Sequence, residues 1–311
     1  LGRRRGLAIG IAYGLSWGLQ QAVDFDFHEI CFAVPLIAFS LEALLGQRWR
    51  AALLWAVPLV LVKEDLGFTV TALALVVAWR ARHLSPRALR YALGVAVFGV
   101  VAVALTLLLV IPSFNSAGTY DYWNKVSESG GGGPLDGLDT KFRTLCWLLV
   151  PTTGLLALRS PILLIALPTV GWRFVSSYSQ YWGTDWHYSA VLMPVVTLAL
   201  VDALDTARHS PRAWLRSYVE HLPAAVAAAS VALTTSLPLS ALAEGEIYRK
   251  PARVSAVERL LGTVPDGASV EANIAPISRL TSRCRVFWVT NTRGIEPDFI
   301  ALDNSRKRYR D

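Results

Sequence analysis

The sequence predicts an α-helical polytopic membrane protein with a small α/β segment at its C-terminal end. Of its 311 residues, 53% are hydrophobic and only 17% are charged, and the mean hydropathy is +0.41. An ordinary soluble domain has roughly 45–50% apolar and 25% charged residues, so this composition favours a membrane protein. Apolar runs separated by short arginine-rich segments repeat along the chain, and a polar tail follows them.

Charge and cysteine usage exclude several other classes. The net charge of +7 comes from short arginine-rich segments between apolar runs rather than from one basic face, which argues against a nucleic-acid partner. The three cysteines form no CxxC pair and no even framework, so neither a disulfide scaffold nor a zinc site is indicated. The GxSxG, HExxH and Walker motifs do not occur. Position 1 is leucine, and we expect the chain to be a fragment of a longer protein.

Positively charged loops stay in the cytoplasm, and this rule sets the predicted orientation of each span. The arginines at 3–5 precede an apolar run at 7–23, which is close to the ~20 residues that a spanning helix needs. The acidic stretch 24–29 then falls outside. The run at 30–45 returns the chain to a basic turn at 47–50, which is predicted to lie inside.

The next apolar run, residues 51–79, is interrupted by Lys63, Glu64 and Asp65. Basic residues flank both ends of this run, so both ends are predicted inside and the run cannot be one straight span. We predict a short or re-entrant hairpin, or a broken pair of short helices, with the charged triplet at its apex. Non-helical backbone at membrane depth must line protein or water, and we expect the triplet to do so.

The remaining chain alternates across the membrane and ends in the tail. Further spans are predicted at residues 91–111, 142–158, 162–175, 189–204 and 222–242. With the hairpin, this gives about eight or nine membrane segments. The polar loops 112–141 and 178–188 fall on the same outer side as the tail.

The tail is predicted to be a small extracytoplasmic cap. Short strands are predicted at 268–272, 285–289 and 298–302, with a helix at 274–281 between the first two. We therefore divide the chain into a transmembrane helical domain, residues 1–243, and an extracytoplasmic α/β segment, residues 244–311.

The stretch 24–29 is the first candidate site, because charge at membrane depth is costly and usually serves a function. In extended chain, alternate side chains share an edge, which groups Asp24, Asp26 and His28. These groups, with Glu29 beside them, could hold a divalent cation or act as a general base and its orienting partner. The alternative is a solvated interfacial loop whose phenylalanines dip into the headgroups.

The triplet and the second aromatic loop supply the other candidates. Lys63 could bind an anionic phosphate while Glu64 or Asp65 binds a metal or a hydroxyl; the alternative is an internal ion pair that pins the hairpin. Most aromatic residues of the loop 178–188 fit an interfacial aromatic belt. Asp185, Trp186 and His187 could instead bind a sugar, since flat rings beside hydrogen-bonding groups suit one. For His187, a satisfied interfacial histidine is the alternative.

Four separated motifs carry a resemblance to a known family. They are FDFHE at 25–29, VKEDLG at 62–67, WGTDWHYSAVLMP at 182–194 and VPDGASV at 264–270. With these motifs the chain resembles the predicted membrane protein family called domain of unknown function 2079. That family is similar to the C-type glycosyltransferase superfamily, whose polytopic members take sugar from a polyprenyl-phosphate carrier at an extracytoplasmic site, often with a divalent cation such as Mg or Mn.

The resemblance implies a glycosyltransferase-like protein of the cytoplasmic membrane, of bacterial origin, with its tail outside and membrane lipid and a polyprenyl-phosphate sugar as partners. The predicted site residues are Asp26, Glu29, Glu64 and Asp65 as catalytic groups, Lys63, Asp185, Trp186 and His187 as substrate-binding groups, and His28 and Asp24 as metal ligands. Two alternatives stay open. One is a secondary transporter whose charged broken hairpin carries substrate or protons, although no inverted repeat is visible. The other is a non-catalytic membrane scaffold.

Overall fold

The computed structural model describes residues 2–25, 27–115, 118, 120, 135–292 and 294–303. Within these ranges the chain is mostly helical, and a small parallel sheet lies near the C-terminal end. Contacts divide the chain into two compact units, residues 1–240 and 241–311, and each unit has its own hydrophobic core. The predicted boundary after residue 243 lies three residues beyond this division.

The first unit is helical throughout its described ranges, with several short elements. Its α-helices are α1 (Arg3–Gly14), α2 (Trp17–Phe25), α3 (Ile30–Leu45), α4 (Trp49–Ala56), α5 (Leu66–Ala81), α6 (Pro86–Leu105), α7 (Ile111–Phe114), α8 (Leu138–Thr153), α9 (Leu167–Val175), α10 (Leu192–Ala207) and α11 (Ala213–Thr234). Short 3-10 stretches of this unit are Val57–Leu61, Leu156–Arg159, Pro161–Ala166, Ser179–Tyr181 and His187–Ser189. The 3-10 stretch Pro238–Ala243 crosses the division, and Gly245–Tyr248 belongs to the second unit. A π-helical segment, Thr106–Val110, joins α6 to α7.

The charged triplet interrupts the helical run at 51–79, as predicted. Lys63, Glu64 and Asp65 lie between the 3-10 stretch Val57–Leu61 and α5, and Asp65 is the residue that precedes the first turn of α5. The run is therefore a broken pair of helices rather than one rod. The break leaves three charged side chains side by side at one end of α5.

Helix α5 is held against α6 by direct backbone contact. A Cβ atom added to Gly67 would lie 2.6 Å from the carbonyl oxygen of Gly99, and one added to Gly99 would lie 2.5 Å from the carbonyl oxygen of Gly67. The Thr71 hydroxyl donates to the carbonyls of Gly67 and Ala96, both at 3.0 Å. Any larger side chain at the two glycines would push the helices apart.

The first predicted span, residues 7–23, is two helices, and the prediction of one continuous helix was wrong. The break falls at Leu15 and Ser16, between α1 and α2. The side-chain amide of buried Gln20 donates to the Leu15 carbonyl at 2.8 Å and to the Thr234 hydroxyl at 3.0 Å. Because this side chain satisfies the carbonyl that the break releases, the interruption costs little.

The last predicted span was also misplaced. Helix α11 covers Ala213–Thr234 rather than 222–242, because its first turns pack on the end of α8. The Tyr218 hydroxyl donates to the carbonyl of Gly154 at 2.6 Å, which fixes a part of the helix that the sequence assigned to a basic loop. Helix α6 likewise begins before residue 91, because Ser85 caps its first turn and Pro86 opens it.

Two helical stretches in the described part of the chain are long and apolar enough to cross a membrane, Pro86–Phe114 and His187–Ala207. Shorter apolar helical stretches are Ile30–Leu45, Trp49–Leu61, Leu66–Ala81 and Pro161–Val175. The first of these matches the predicted run at 30–45. Several predicted spans are divided by breaks, so the count of eight or nine membrane segments stays a prediction.

The second unit contains a three-stranded parallel sheet in the order β2-β1-β3. Its elements are α12 (Ala252–Leu261), β1 (Ser269–Ala272), α13 (Ile274–Leu280), β2 (Arg285–Trp288) and β3 (Phe299–Ala301). The three predicted strands and the helix between the first two are confirmed, whereas α12 was not predicted. The small core of this unit consists of Val264, Val270, Ala272 and Leu280. The predicted small α/β segment is therefore present.

Candidate functional site

The candidate site lies at the helix break before α5, where two charged motifs meet. The Lys63 ammonium donates to Glu29 Oε1 at 3.1 Å, which joins the triplet to the acidic stretch before α3. Desolvation by itself would raise the pKa of Glu29 and lower that of Lys63. Hydrogen bonds, including one from the Glu29 backbone, and the mutual charges reverse both effects, so the pKa of Glu29 is lowered and that of Lys63 is raised.

The first polar loop also reaches the triplet. The Tyr120 hydroxyl donates to Glu64 Oε1 at 3.0 Å. In the sequence, Tyr120 lies in the predicted polar loop 112–141, where its aromatic side chain fits an interfacial belt and carries no predicted role at the site. This contact places Tyr120 against the helix break.

Asp65 lines a small cavity together with Lys63, Trp172, His187 and Tyr188. The cavity measures about 20 Å³, which is room for about one water molecule. Among the described residues, Asp65 Oδ1, Trp172 Nε1 and His187 Nδ1 are buried and have no hydrogen-bond partner. The Trp172 indole lies close enough to favour the ionised form of Asp65, but the pair falls short of hydrogen-bond geometry. Buried polar atoms normally find partners, so this cavity is unusual.

The Asp65 carboxyl lies in the connection before α5 and is strongly perturbed. Burial raises the pKa of Asp65 to about 6, and the charge of Glu64 acts in the same direction. The nearby ammonium of Lys63, a backbone hydrogen bond and the Trp172 indole offset this only in part. A carboxyl whose pKa lies near neutral can both take up and release a proton under physiological conditions.

Two histidines from different motifs stack beside this cavity. The ring centroids of His28 and His187 are 4.3 Å apart, and the ring planes differ by 23°. Phe25 packs on both rings, with its centroid 4.9 Å from each. His187 is buried, and His28 Nδ1 is buried without a hydrogen-bond partner in the described part of the chain. The FDFHE and WGTDWHY motifs are therefore in direct contact.

Trp186 adopts a backbone conformation that residues other than glycine rarely take. Its φ is 68° and its ψ is −176°, a region populated almost only by glycine. Such a conformation costs on the order of 1–3 kcal/mol and persists only where the surroundings impose it. Its indole meets the Phe25 ring edge-on with centroids 4.7 Å apart. The strained residue therefore sets its indole against Phe25, the ring that packs on both histidines.

Arg173 organises the loop that carries Trp186 and His187, and the sequence did not identify it. The guanidinium is fully buried in α9 and donates to the carbonyls of Tyr181 at 2.8 Å and Gly183 at 2.7 Å. It also donates to the Ser189 hydroxyl at 3.1 Å. The available signal is the arginine itself, which lies within the apolar run predicted as the span 162–175.

The structure leaves part of the predicted set outside the cavity. Asp26 lies outside the described residues. Asp185 is exposed, and the residues that line the cavity do not include it. The extended arrangement predicted for Asp24, Asp26 and His28 is wrong at Asp24, which is exposed on the last turn of α2. Helix α2 continues to Phe25 because this ring packs on both histidines.

No group of three or more His, Cys, Asp or Glu side chains that could hold a metal ion occurs among the described residues. Of the two predicted metal ligands, His28 is engaged in ring stacking and Asp24 is exposed on the last turn of α2. A divalent cation bound by these two residues stays a prediction.

The comparisons with known proteins give the family. A family profile described as predicted membrane protein, DUF2079, matches residues 1–311. The chain belongs to this family. No curated protein and no solved structure matched it. Membership in DUF2079 supports a membrane location for the helical first unit, and the family description assigns no chemical activity.

Proposed function

We propose that this DUF2079 member is a glycosyltransferase-like membrane enzyme that transfers a sugar from a polyprenyl-phosphate carrier to an acceptor. The observation that carries the proposal is the convergence of Glu29, Lys63, Asp65 and His187 at one helix break, although they come from three separated motifs. Charged and polar groups that gather in this way at the end of an apolar helix are costly unless they serve a task.

Asp65 is the general base in this proposal. Asp65 lines the cavity and its Oδ1 has no hydrogen-bond partner in the described chain, so this oxygen can accept one from an acceptor hydroxyl once the site opens. The hydroxyl proton passes to Asp65, the acceptor oxygen bonds to the anomeric carbon, and the bond from that carbon to the phosphate oxygen breaks. The polyprenyl phosphate leaves with the bonding electron pair. A base whose pKa lies near the working pH is well suited to this transfer.

Lys63 binds the phosphate of the carrier. Its ammonium has three donors, of which one is directed to Glu29. The remaining donors can meet phosphate oxygens and stabilise the charge that develops on the leaving group. Glu29 thus keeps Lys63 in position, and its own side chain is half exposed, so the pair can adjust when the donor arrives.

The aromatic surface of Trp186 and Phe25 offers a platform for the sugar, and His187 offers a polar edge beside it. The cavity of about 20 Å³ is too small for a hexose, so the site must open when substrate binds. The hydrogen bond from Tyr120 to Glu64 is one contact beside the triplet that such an opening would release. No step in this scheme requires a Mg²⁺ or Mn²⁺ ion held by His28 and Asp24.

The site and the tail are proposed to face the extracytoplasmic side of the cytoplasmic membrane, because basic segments bracket the opposite helix ends. Single cysteines can test this in a chain whose three native cysteines are replaced by alanine. Asp139→Cys should react with an impermeant thiol reagent added to intact cells, and Arg212→Cys should react only after lysis; the reverse pattern would refute the orientation.

The activity itself can be tested with the purified full chain in nanodiscs and a polyprenyl-phosphate-linked hexose. Release of polyprenyl phosphate is followed by mass spectrometry. The wild type should release it, and Asp65→Asn should be slower by on the order of 10²–10⁴-fold, the usual contribution of a general base. Asp205→Asn is the matched control, since Asp205 is an exposed carboxylate on α10. Equal rates for Asp65→Asn and the wild type would refute the proposal.

A secondary transporter is the second candidate, favoured by one observation. The charged triplet sits at a break between helices, as substrate and coupling-ion sites of transporters often do. In proteoliposomes, a transporter would move a solute or protons across the membrane without releasing polyprenyl phosphate. Proton-coupled uptake that Asp65→Asn abolishes, together with no transferase activity, would favour this candidate.

A further inference from the structure

A second, larger cavity lies between the starts of α4 and α6. It measures about 470 Å³, within the ~300–1,000 Å³ range of ligand pockets. Its lining includes Arg48, Trp49, Arg50, Ser85, Arg87 and Tyr91. Helix α5 leads from the charged triplet to the segment before Ser85, and its 16 residues span about 24 Å. The cavity is therefore at the opposite helix ends from the candidate site.

The cavity is lined by positive charge. Its lining among the described residues includes three arginines and no Asp or Glu. Arg48 is bonded to Glu42, whereas Arg50 and Arg87 form no ion pair within the described residues. The Arg50 guanidinium lies 5.6 Å from the centroid of the Tyr91 ring, which holds it over the cavity wall. Two guanidinium groups thus remain available for an anion.

The helix ends add to this positive potential. Helix α4 starts at Trp49, and no side chain caps its first amides. Trp49, Arg50 and Ala51, which form its first turn, all line the cavity. The positive end of a helix dipole favours phosphate, as do free backbone amides. The arginines and the start of α4 therefore favour the same kind of ligand.

An apolar surface continues from the cavity along both helices. Leu54 on α4, one turn beyond Arg50, and Phe98 on α6, two turns beyond Tyr91, are both exposed on the same helix faces as these lining residues. Exposed apolar side chains of this size in a membrane protein face acyl chains. A ligand with a phosphate at one end and a hydrocarbon chain at the other would match both the arginines and this surface.

We propose that the cavity binds the phosphate of an anionic phospholipid, with its acyl chains along the exposed faces of α4 and α6. Arg50 and Arg87 bind the phosphate oxygens, since guanidinium groups match phosphate geometry. A soluble phosphate compound would satisfy the arginines but would leave the apolar surface unused. This inference does not depend on the proposed sugar transfer.

The test uses the full chain purified in a neutral detergent. Its thermal unfolding is followed while phosphatidylglycerol, phosphatidylcholine or inorganic phosphate is added. Phosphatidylglycerol should raise the melting temperature of the wild type at lower concentration than phosphatidylcholine does. The double variant R50Q/R87Q should need about tenfold more phosphatidylglycerol, and the charge-retaining R50K/R87K should lie between the two.

The matched control is R90Q/R212Q, which removes two exposed arginines that do not line the cavity. It should respond to phosphatidylglycerol as the wild type does. An equal loss in R90Q/R212Q would show a general charge effect and would overturn the proposal. Inorganic phosphate that protects as well as the lipid would assign the cavity to a soluble phosphate compound instead, and an unchanged R50Q/R87Q would exclude the site.

Discussion

The imidazole rings of His28 and His187 stack with their centroids 4.3 Å apart, although the two residues are far apart in the sequence. Phe25 closes the contact from one side. His187 lines the cavity together with Asp65, and its stack on His28 connects this wall to the residues just before α3. The position of either ring therefore depends on the other.

The two roles of His187, packing and polar contact, can be separated by substitution. His187→Phe keeps a ring against Phe25 and His28 but removes Nδ1, so the melting temperature should change little while transfer activity falls. His187→Ala removes a buried ring and should cost about 3 kcal/mol of unfolding free energy, as truncation of a buried aromatic does. Thermal unfolding in detergent and the transfer assay give both readouts. Full activity in His187→Phe would exclude a polar role.

Asp65 should make stability depend on pH. Because its folded-state pKa of about 6 is above the ordinary value of 3.8, the folded state binds the proton more tightly than the unfolded state. Its contribution to stability is therefore largest below about pH 4 and is lost as the pH rises through about 6. Melting temperatures of the wild type and Asp65→Asn, compared between pH 4 and 7, should diverge in favour of the variant as pH rises. Parallel curves would contradict this.

Activity should follow the opposite pH dependence from stability. The base form of Asp65 is the reactive one, so the transfer rate should rise as the pH increases through about 6. The pH–rate profile of the wild type gives the apparent value. A profile that is flat from pH 5 to 8 would exclude Asp65 as the base.

The strained backbone at Trp186 predicts a difference between two truncations. Both Trp186→Gly and Trp186→Ala lose the ring contact with Phe25, but only glycine relaxes at a φ of 68°. Trp186→Gly should therefore be more stable than Trp186→Ala by on the order of 1–3 kcal/mol. Their melting temperatures, measured side by side, decide this. Equal stability would show that the loop relaxes away from the strained conformation.

Arg173 should be the most sensitive position in the loop scaffold. Arg173→Gln leaves the carbonyls of Tyr181 and Gly183 buried without their donors, at roughly 1–3 kcal/mol each. The expected result is a large loss of folded protein in the membrane. Arg159→Gln, an exposed arginine before Pro161, is the control and should accumulate normally. Size-exclusion profiles of the two detergent extracts provide the measurement.

Sequence reasoning found the charged parts of the site because charge in an apolar run is conspicuous. Lys63 and Asp65 predicted the helix break. Glu29 and His187 are predicted site residues that lie beside this break, Glu29 on Lys63 and His187 in the cavity with Asp65. It missed the break at Leu15, because the side chain that satisfies it, Gln20, finds its second partner 214 residues away in Thr234. Long-range contacts of this kind leave no local pattern.

The same limit explains the other omissions. In the sequence, Tyr120 resembles an ordinary interfacial aromatic residue, and only the structure shows that its hydroxyl donates to Glu64. Asp24 was predicted on an extended acidic edge, whereas it lies in α2. The helix extends this far because Phe25 packs on His187, and the sequence around Asp24 gives no sign of that distant contact. Local periodicity cannot tell a helix end from an extended strand over so few residues.

The backbone contact between Gly67 and Gly99 is also the point about which α5 and α6 would tilt against each other. It lies about 3 Å along α5 from Asp65 and about 18 Å along α6 from Arg87, at a rise of about 1.5 Å per residue. A change in the angle between α5 and α6 about this point would move Arg87 roughly six times as far as Asp65. A spectroscopic label near Arg87 would therefore report a small change in the angle between α5 and α6, because its displacement is larger than that of Asp65.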